Sequence, residues 1–364
     1  MKNVGIMSMQ RIVNYGSFLQ AFALKSIIEE LGYNVEFVDY KFEESLVKKN
    51  DTFFSKIKRN INVIDYYKKK KASLALNKKF VNDFFPLLGL SNEYNYNHDV
   101  DSLVIGSDEV FNCLQPYPVG FSKNLFGYEY ENKNVISYAA SFGFTTFDMI
   151  KKYNISDQLK KLLLNFNEIS VRDNNSIEVV EKLIGKKPYK HLDPVLIYDY
   201  SKYVKEVDVD NYILIYAYPG RLSKKEEKYI KKFARKNHKK ILSLGSYQSI
   251  ADEIRIVQPL DVFSYFKHAD FVITDTFHGS IFSIITNVNF CTIIRASNKN
   301  KLEDLLKTLA QQNQIISNID EIEIKYNNPA QFDETNVIIR KERKKTLKYL
   351  EKSLDIIEEK YEQC

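Results

Sequence analysis

The sequence predicts an α/β protein made of two α/β units in tandem. The first residues alternate an apolar strand, a glycine-containing turn, a helix and a second strand, the pattern of a βαβ unit with parallel strands. A second run of alternating strands and helices begins near residue 212. The length of 364 residues also favours two domains, at roughly 150 residues per domain.

The first unit opens with an apolar strand at Val4–Met7, and Phe18–Leu31 has the apolar spacing of a helix. Between them, Asn14–Ser17 is predicted to form a turn. Gly32 follows the helix, where glycine commonly ends one, and Val35–Val38 is the next strand. The remaining elements predicted in this unit are strands at Ser102–Ile105, Val135–Tyr138 and Ile169–Val171, and helices at Ser156–Phe166 and Ser176–Ile184.

The second unit follows a polar, charged segment at residues 201–211 that is predicted to be a linker. Its predicted strands are Tyr212–Tyr218, Ile241–Leu244, Phe271–Thr274 and Phe290–Ile294, and its predicted helices are 223–237, Val262–Lys267, Ser280–Ile285 and Lys301–Leu309. The highly charged stretch Glu334–Glu362 is predicted to be one long helix. The predicted domains are therefore residues 1–205 and 206–330, followed by a C-terminal helix in 331–364.

The composition is that of a folded protein, with 44% hydrophobic and 13% aromatic residues. A net charge of +6 is too small for a chain built to coat nucleic acid, so no nucleic-acid partner is expected. The three cysteines are far apart and lack metal-type spacing, which predicts no metal site and fits the reducing cytoplasm. No apolar stretch is long enough to predict a membrane-spanning helix.

The positive charge is concentrated in one segment, residues 48–79. It holds eleven Lys and Arg against two Asp, so the rest of the chain is net negative. Aromatic and aliphatic residues are interleaved with the lysines. One interpretation is an amphipathic helix with a solvated, lysine-rich face. The other is a patch that contacts anionic lipid head groups or a phosphorylated acceptor.

Polar residues follow several predicted strands, and the carboxyl ends of parallel strands meet at one edge of a sheet, where ligands bind. A glycine-containing turn before a helix can bind an anion through free N–H groups, although many such turns only reverse the chain. Asp108 could instead cap a helix. The candidates of this kind are Asn14, Tyr15, Gly16, Ser107, Asp108, Ser141 and Asp193.

The most specific local pattern is Thr274–Ser280, between an apolar strand and an apolar helix. His278 at this junction would lie near the positive end of a helix dipole, and Gly279 would let a ligand approach the backbone closely. Ser280 is a further candidate for ligand binding. The alternative is a structural histidine, because helix starts also use His for packing and capping.

Arginine is scarce, with only nine in the chain. Arg172, which follows a short predicted strand, is therefore a candidate binding residue. Its guanidinium would suit the paired oxygens of a carboxylate or phosphate. The alternative is a salt bridge to Asp173 or to another carboxylate. Arg295 follows the strand Phe290–Ile294 and has the same two interpretations.

Together these segments resemble the polysaccharide pyruvyl transferase family. The segments that carry the resemblance are Asn14–Ala21, Gly106–Asn112, Ser137–Gly143, Ser170–Asp173 with Ser176, Asp193–Pro194, and Ala269–Ser283. They occur in order over roughly residues 1–310, and the His-Gly pair after Ile-Thr-Asp is the most specific. Some members have an Arg two residues before this His, where the present chain has Thr276.

The resemblance implies two Rossmann-like domains in a GT-B-like arrangement, with the active site in the interdomain cleft. It implies transfer of a pyruvyl group from phosphoenolpyruvate onto two hydroxyls of a bacterial cell-surface glycan or lipid-linked sugar, forming a cyclic ketal. Residues 1–205 would be the acceptor side and 206–330 the donor side. Phosphoenolpyruvate would be a substrate, and no other cofactor is expected. The location implied is the cytoplasm or the inner face of the cell membrane.

By position, His278 and Arg172 match the family's phosphoenolpyruvate-site residues, and Asp108 or Asp193 could be the base for the acceptor hydroxyl. Arg295 or a lysine could replace the family Arg that is absent at Thr276. Two other functions stay open: a nucleotide-sugar glycosyltransferase of the same architecture, and a non-catalytic binding protein on the same fold.

Overall fold

Two parallel six-stranded sheets organise the protein. The computed structural model describes residues 2–47, 63–116, 120–295 and 297–355, with only the backbone of residues 63 and 64. The first sheet is formed by residues 3–190 and the second by residues 212–316, so each predicted α/β unit contains one sheet.

The first sheet has the order β2-β1-β3-β4-β5-β6. Its strands are β1 (Asn3–Met7), β2 (Asn34–Phe37), β3 (Ser102–Asp108), β4 (Asn134–Ala140), β5 (Ser170–Val171) and β6 (Tyr189–Lys190). The order reverses between β1 and β3, and a ligand-binding crevice is expected at their carboxyl ends. The helices of this unit are α1 (Tyr15–Glu30), α2 (Val63–Lys79), α3 (Phe147–Lys152), α4 (Ser156–Leu163), α5 (Asn174–Ile184) and α6 (Pro194–Ile197).

The second sheet has the order β12-β11-β10-β7-β8-β9. Its strands are β7 (Tyr212–Tyr216), β8 (Lys240–Leu244), β9 (Glu253–Arg255), β10 (Phe271–Thr274), β11 (Phe290–Ile293) and β12 (Ile315–Ile316). The reversal here lies between β7 and β10. The helices are α7 (Lys224–Lys236), α8 (Val262–Lys267), α9 (Phe277–Ile285), α10 (Lys299–Thr308), α11 (Ile322–Asn327) and α12 (Asp333–Asp355).

The central strands are apolar along their length because helices cover both faces of each sheet. Every residue of β4 and of β7 is buried. One hydrophobic cluster also joins the two units, since it includes Leu196 of α6 together with Phe263 of α8 and Phe282 of α9. This shared core fixes the position of one sheet relative to the other.

Helix α12 contacts both units. At its start, the Thr335 hydroxyl donates to the Leu309 carbonyl at 2.6 Å. Further along, the Tyr349 hydroxyl donates to the Ser137 carbonyl at 2.8 Å, and Thr346 shares a hydrogen bond with Tyr138. The end predicted for this helix, up to Glu362, lies outside the described residues. None of the described helices combines the length and the apolar character needed to cross a membrane.

The α/β class with two Rossmann-like units is confirmed, and two local predictions are wrong. Asn14–Ser17 is not a separate turn, because α1 begins at Tyr15 and the Asn14 side chain caps it by accepting from the Gly16 N–H at 2.7 Å. Asp108 does not cap a helix. It ends β3, and the next α-helix in the described part of the chain after Asp108 begins at Phe147.

The basic segment is described only in part. Residues 48–62 lie outside the described residues, and residues 63–79 form α2. The domain boundaries at residues 205 and 330 stay predictions, as does the contact with anionic lipid.

Candidate functional site

A cavity of about 530 Å³ lies between the two units. Its walls come from α2 and from the segments that follow β1, β3 and β5 in the first sheet and β7, β8, β10 and β11 in the second. The two crevices expected from the strand orders therefore face each other across one space. The polar residues that line it include Asn14, Asp108, Arg172, Arg221, His278 and Lys301.

Arg172 binds two carboxylates at the wall of this cavity. Its Nη1 lies 2.8 Å from Oδ2 of Asp193, and its Nη2 lies 3.3 Å from Oδ1 of Asp108. The guanidinium also stacks on the Phe277 ring, 4.5 Å from its centre, and the side chain is only 3% exposed. Burial alone would lower the pKa of Arg172, but the surrounding carboxylates raise it, so the group stays charged. The salt-bridge interpretation of Arg172 is therefore observed, with Asp193 and Asp108 as partners.

Asp193 lies behind the cavity wall and has no exposed side-chain surface. Its Oδ1 accepts from the Val195 N–H at 3.1 Å and so caps α6, while its Oδ2 faces Arg172 and His278. Burial would raise the pKa of Asp193, but His278, Arg172 and the Val195 N–H together hold it below its ordinary value. Asp193 is therefore an ionised group that holds the two basic side chains.

His278 is the second residue of α9 and reaches the first unit. Its Nε2 lies 3.6 Å from Oδ2 of Asp193, and this buried nitrogen makes no hydrogen bond within the described part of the chain. Its ring packs directly on Gly16 of α1, where an added Cβ would lie 2.2 Å from Nδ1. Gly16 is thus required by the close approach of the histidine ring, which places His278 beside Asp193.

Tyr15 forms a second contact between the units. Its hydroxyl donates to the Val257 carbonyl at 2.8 Å and accepts from the Val257 N–H at 3.0 Å. Its ring packs on Gly245, where an added Cβ would lie 2.5 Å from the ring. Asn14 lines the cavity and caps α1, so the segment Asn14–Gly16 both borders the cavity and docks the second unit.

Two neighbouring carboxylates occupy the end of β3. Asp108 has a left-handed φ of 81°, accepts a hydrogen bond from the Ser17 hydroxyl at 3.0 Å and faces Arg172. Glu109 binds Lys301 of α10 across the cavity, with Oε1 and Nζ 2.7 Å apart. Although burial opposes it, the charge of Lys301 lowers the pKa of Glu109 to about 2.

The cavity wall is cationic. Four lysines and arginines line it together with His278, against two carboxylates, Asp108 and Glu109. Among the residues that line the cavity, positive side chains therefore outnumber negative ones, which favours an anionic ligand. The basic residues are Lys69, Arg172, Arg221, His278 and Lys301.

Arg221, Lys301 and Lys69 are absent from the sequence-based candidates. Arg221 follows the end of β7 in an arginine-poor chain, so the signal that selected Arg172 could also have selected it. Its Nε lies 3.5 Å from Oδ2 of Asp275, and its Nη2 donates to the Ser297 hydroxyl at 2.6 Å. Nothing in the sequence around Lys301 distinguishes it from the many other lysines.

Lys69 comes from the basic segment, whose structured part α2 borders the cavity. Its Nζ donates to the Pro219 carbonyl at 3.3 Å, and Asp65 accepts a hydrogen bond from the Tyr247 hydroxyl at 2.7 Å. Helix α2 therefore contacts the second unit through both of these residues.

Several predicted binding residues lie outside the cavity lining and make contacts inside one unit: Ser107, Ser141, Gly279, Ser280 and Arg295. Gly279 is needed because an added Cβ would lie 2.1 Å from Oγ1 of Thr274. The Arg295 guanidinium binds Glu226, with Nη1 and Oε1 2.7 Å apart, and also faces Asp275. Asn14, Tyr15, Asp108, Arg172 and His278 are brought together at the cavity.

These features define a two-unit α/β protein with a cationic cleft between Rossmann-like halves. A family model described as polysaccharide pyruvyl transferase matches residues 14–297. The chain belongs to the polysaccharide pyruvyl transferase family, and it is accordingly a transferase with a role in pyruvyl transfer on polysaccharide. No curated protein matches it by sequence.

Three solved structures are similar to the chain at low sequence identity. The glycotransferase of kitacinnamycin is 9% identical with a TM-score of 0.50, and the match covers 98% of each chain. Spinosyn rhamnosyltransferase SpnG is 10% identical, with a TM-score of 0.48 and coverage of 98% and 100%. UDP-GlcNAc 2-epimerase from Neisseria meningitidis is 11% identical, with a TM-score of 0.46 and coverage of 97% and 100%. The first of these likenesses supports a GT-B-like arrangement.

Proposed function

We propose that the protein transfers the pyruvyl group of phosphoenolpyruvate onto two hydroxyls of a sugar in a cell-surface glycan or its lipid-linked precursor. The product is a cyclic ketal, and phosphate is released. One observation carries the proposal: His278 and Arg172 meet at Asp193, beside a cavity with a cationic wall. The family supplies the reaction class, and the cavity supplies a place for an anionic donor.

Phosphoenolpyruvate carries a carboxylate and a phosphate, so its site needs several positive charges and hydrogen-bond donors. Arg172 contributes charge, although two of its nitrogens already bind carboxylates. We therefore assign further anion contacts to Arg221 and Lys301, which line the same cavity. They replace the family Arg that is missing at Thr276. Arg295 is less suited because it lies outside the cavity lining, where its guanidinium binds Glu226 and faces Asp275.

The reaction starts with proton delivery to the methylene carbon of phosphoenolpyruvate, which makes C2 electrophilic. His278 is the proposed proton donor, because histidine is the commonest general acid and its Nε2 faces the carboxylate of Asp193 at 3.6 Å. A sugar hydroxyl oxygen bonds to C2 and loses its proton. The bond between C2 and the phosphate oxygen breaks, and phosphate leaves with the electron pair. A second hydroxyl oxygen then bonds to C2, loses its proton and closes the ketal.

Asp108 is the proposed base for the acceptor hydroxyl. It lines the cavity, whereas Asp193 has no exposed side-chain surface that a sugar could touch. Asp193 is therefore a positioning residue, which acts through His278 and Arg172.

The test is phosphate release from phosphoenolpyruvate with a panel of free and lipid-linked glycans, combined with mass spectrometry for one added pyruvyl ketal. His278→Ala should lower the rate by about 10²–10⁴-fold, the usual contribution of a general acid. Arg172→Ala should abolish release, while Arg235→Ala, an exposed arginine on α7, should leave it unchanged. Near-normal turnover of folded His278→Ala would refute the assignment.

A thermal-shift measurement separates the other functions. Stabilisation by phosphoenolpyruvate, but not by uridine or guanosine nucleotides, is expected for the pyruvyl transferase. The opposite result would identify a nucleotide-sugar glycosyltransferase. Binding without phosphate release from any acceptor would identify a non-catalytic protein.

A further inference from the structure

Three exposed aromatic side chains lie together near the carboxyl end of β2. Phe42, Tyr94 and Tyr96 are 52%, 48% and 42% exposed. The rings of Tyr94 and Tyr96 stack with centres 5.9 Å apart and planes 8° apart, and Phe42 meets Tyr94 edge-on at 6.4 Å. These three residues, called here the aromatic platform, form an apolar surface that folding leaves open to solvent. Exposed patches of this kind commonly mark binding sites.

An ion pair between the partly buried Arg11 and the buried Asp39 holds the platform in place. Arg11 binds Asp39 through two contacts, Nε to Oδ1 at 2.6 Å and Nη2 to Oδ2 at 2.8 Å. The same guanidinium donates to the Ser91 carbonyl at 2.8 Å and lies 4.6 Å from the centre of the Tyr94 ring. Asp39 also accepts from the Asn95 N–H at 2.8 Å. The tyrosines therefore stand on a fixed loop, and fixed rings lose little conformational entropy when a ligand binds.

The platform adjoins the cavity. Met9 and Ile12, which lie on either side of Arg11 in the sequence, both line the cavity. Tyr40, whose ring lies 5.1 Å from that of Phe42, donates its hydroxyl to the Met9 sulfur at 3.5 Å. A chain of contacts thus leads from the cavity wall to the platform on the first unit.

We propose that the aromatic platform binds pyranose rings of a glycan chain, next to the sugar that enters the cavity. The apolar C–H face of a pyranose fits flat on an aromatic ring, and tyrosine hydroxyls can bond to sugar hydroxyls at the ring edge. The charge of Arg11 is balanced by Asp39, so the surface suits a neutral saccharide better than an anionic lipid. The assignment of the platform to the acceptor glycan rests on the proposed function. Saccharide binding itself can be measured without turnover.

The experiment compares cellohexaose with glucose by isothermal titration calorimetry, using the full chain without phosphoenolpyruvate. Cellohexaose is a fair probe because β-linked glucose presents C–H groups on both faces of each ring. We expect its Kd to be at least tenfold lower than that of glucose. The double variant Tyr94→Ala/Tyr96→Ala should remove this preference, because both rings are lost.

Tyr128→Ala is the matched control. Tyr128 is an exposed tyrosine of the first unit, at 41%, with Lys123 over its ring at 4.9 Å, and its loss should leave cellohexaose binding unchanged. No binding of cellohexaose, no length dependence, or equal binding by the double variant would each overturn the inference. So would flotation with phosphatidylglycerol vesicles that depends on Tyr94 and Tyr96. Turnover is assayed separately. Loss of the proposed transferase activity would appear as absent phosphate release, whereas failure of the platform would appear as absent or length-independent saccharide binding.

Discussion

The contact between Gly16 and His278 permits a sharp test, the substitution Gly16→Ala. Gly16 is in the first turn of α1, and no unusual backbone angle requires a glycine there. The added methyl group would lie 2.2 Å from Nδ1 of His278 and 2.4 Å from its Cγ. Since real atoms do not approach so closely, the histidine ring or α1 must move.

The magnitude follows from two opposing effects. Alanine is favoured over glycine in a helix by roughly 0.5–1 kcal/mol, which would stabilise the variant. Overpacking of a close contact typically costs about 1–3 kcal/mol, so a net loss near 1–2 kcal/mol is expected. A displacement of His278 by about 1 Å would cost catalysis on the order of 10²-fold. Activity should therefore fall much more than stability.

The assay is a double-mutant cycle, with the free energy of unfolding from urea denaturation and phosphate release as the two readouts. In the His278→Ala background the two closest contacts are absent, so the stability loss from Gly16→Ala should shrink. The matched control is Gly5→Ala, whose methyl group meets Val38 far from His278, and its cost should be the same in both backgrounds. An unchanged cost of Gly16→Ala without the imidazole would refute the reasoning.

Two further predictions concern pH. Glu109 has a pKa of about 2, lowered from 4.5, so its stabilising effect is present above pH 4.5 and is lost as the pH falls toward 2. The free energy of unfolding of Glu109→Gln should change less over that range than that of wild type, and the exposed Glu181→Gln should behave like wild type. Burial lowers the pKa of His191 from 6.5 to about 3. Between these pH values the unfolded chain binds a proton that the folded chain does not, so wild type loses stability as the pH falls from 6.5 toward 3. Urea denaturation of His191→Asn should show a smaller loss, whereas His98→Asn, an exposed control, should show the wild-type slope.

The sequence predicts most of the strands because parallel sheets covered on both faces produce continuous apolar runs, as in β4 and β7. It also selects Arg172, which directly follows a strand, and His278, which lies four residues after one, at the edge where ligands bind. The start of α1 is less predictable. Glycine at position 16 weakens the helix signal, and only the contact with the ring of His278 explains why it is there.

The charge partners are harder to predict because they come from distant parts of the chain. Lys301 looks like any other lysine, and its role arises only when α10 places it 2.7 Å from Glu109 of the first unit. The sequence selects Asp193 by its position after a strand. Its complete burial, which makes it a support for His278 and not a contact for the sugar, arises only when α6 packs into the core that joins the two units.

The position of His278 depends on both units, and this dependence links the fold to the proposed chemistry. Its backbone belongs to α9, but the surface that supports its ring is Gly16 and the carboxylate that faces Nε2 is Asp193, both in the first unit. The Glu109–Lys301 pair and the double hydrogen bond of Tyr15 with Val257 also cross between the units. Neither half alone contains both His278 and its carboxylate partner Asp193. The shared hydrophobic core that joins the units is thus a condition for the site as well as for stability.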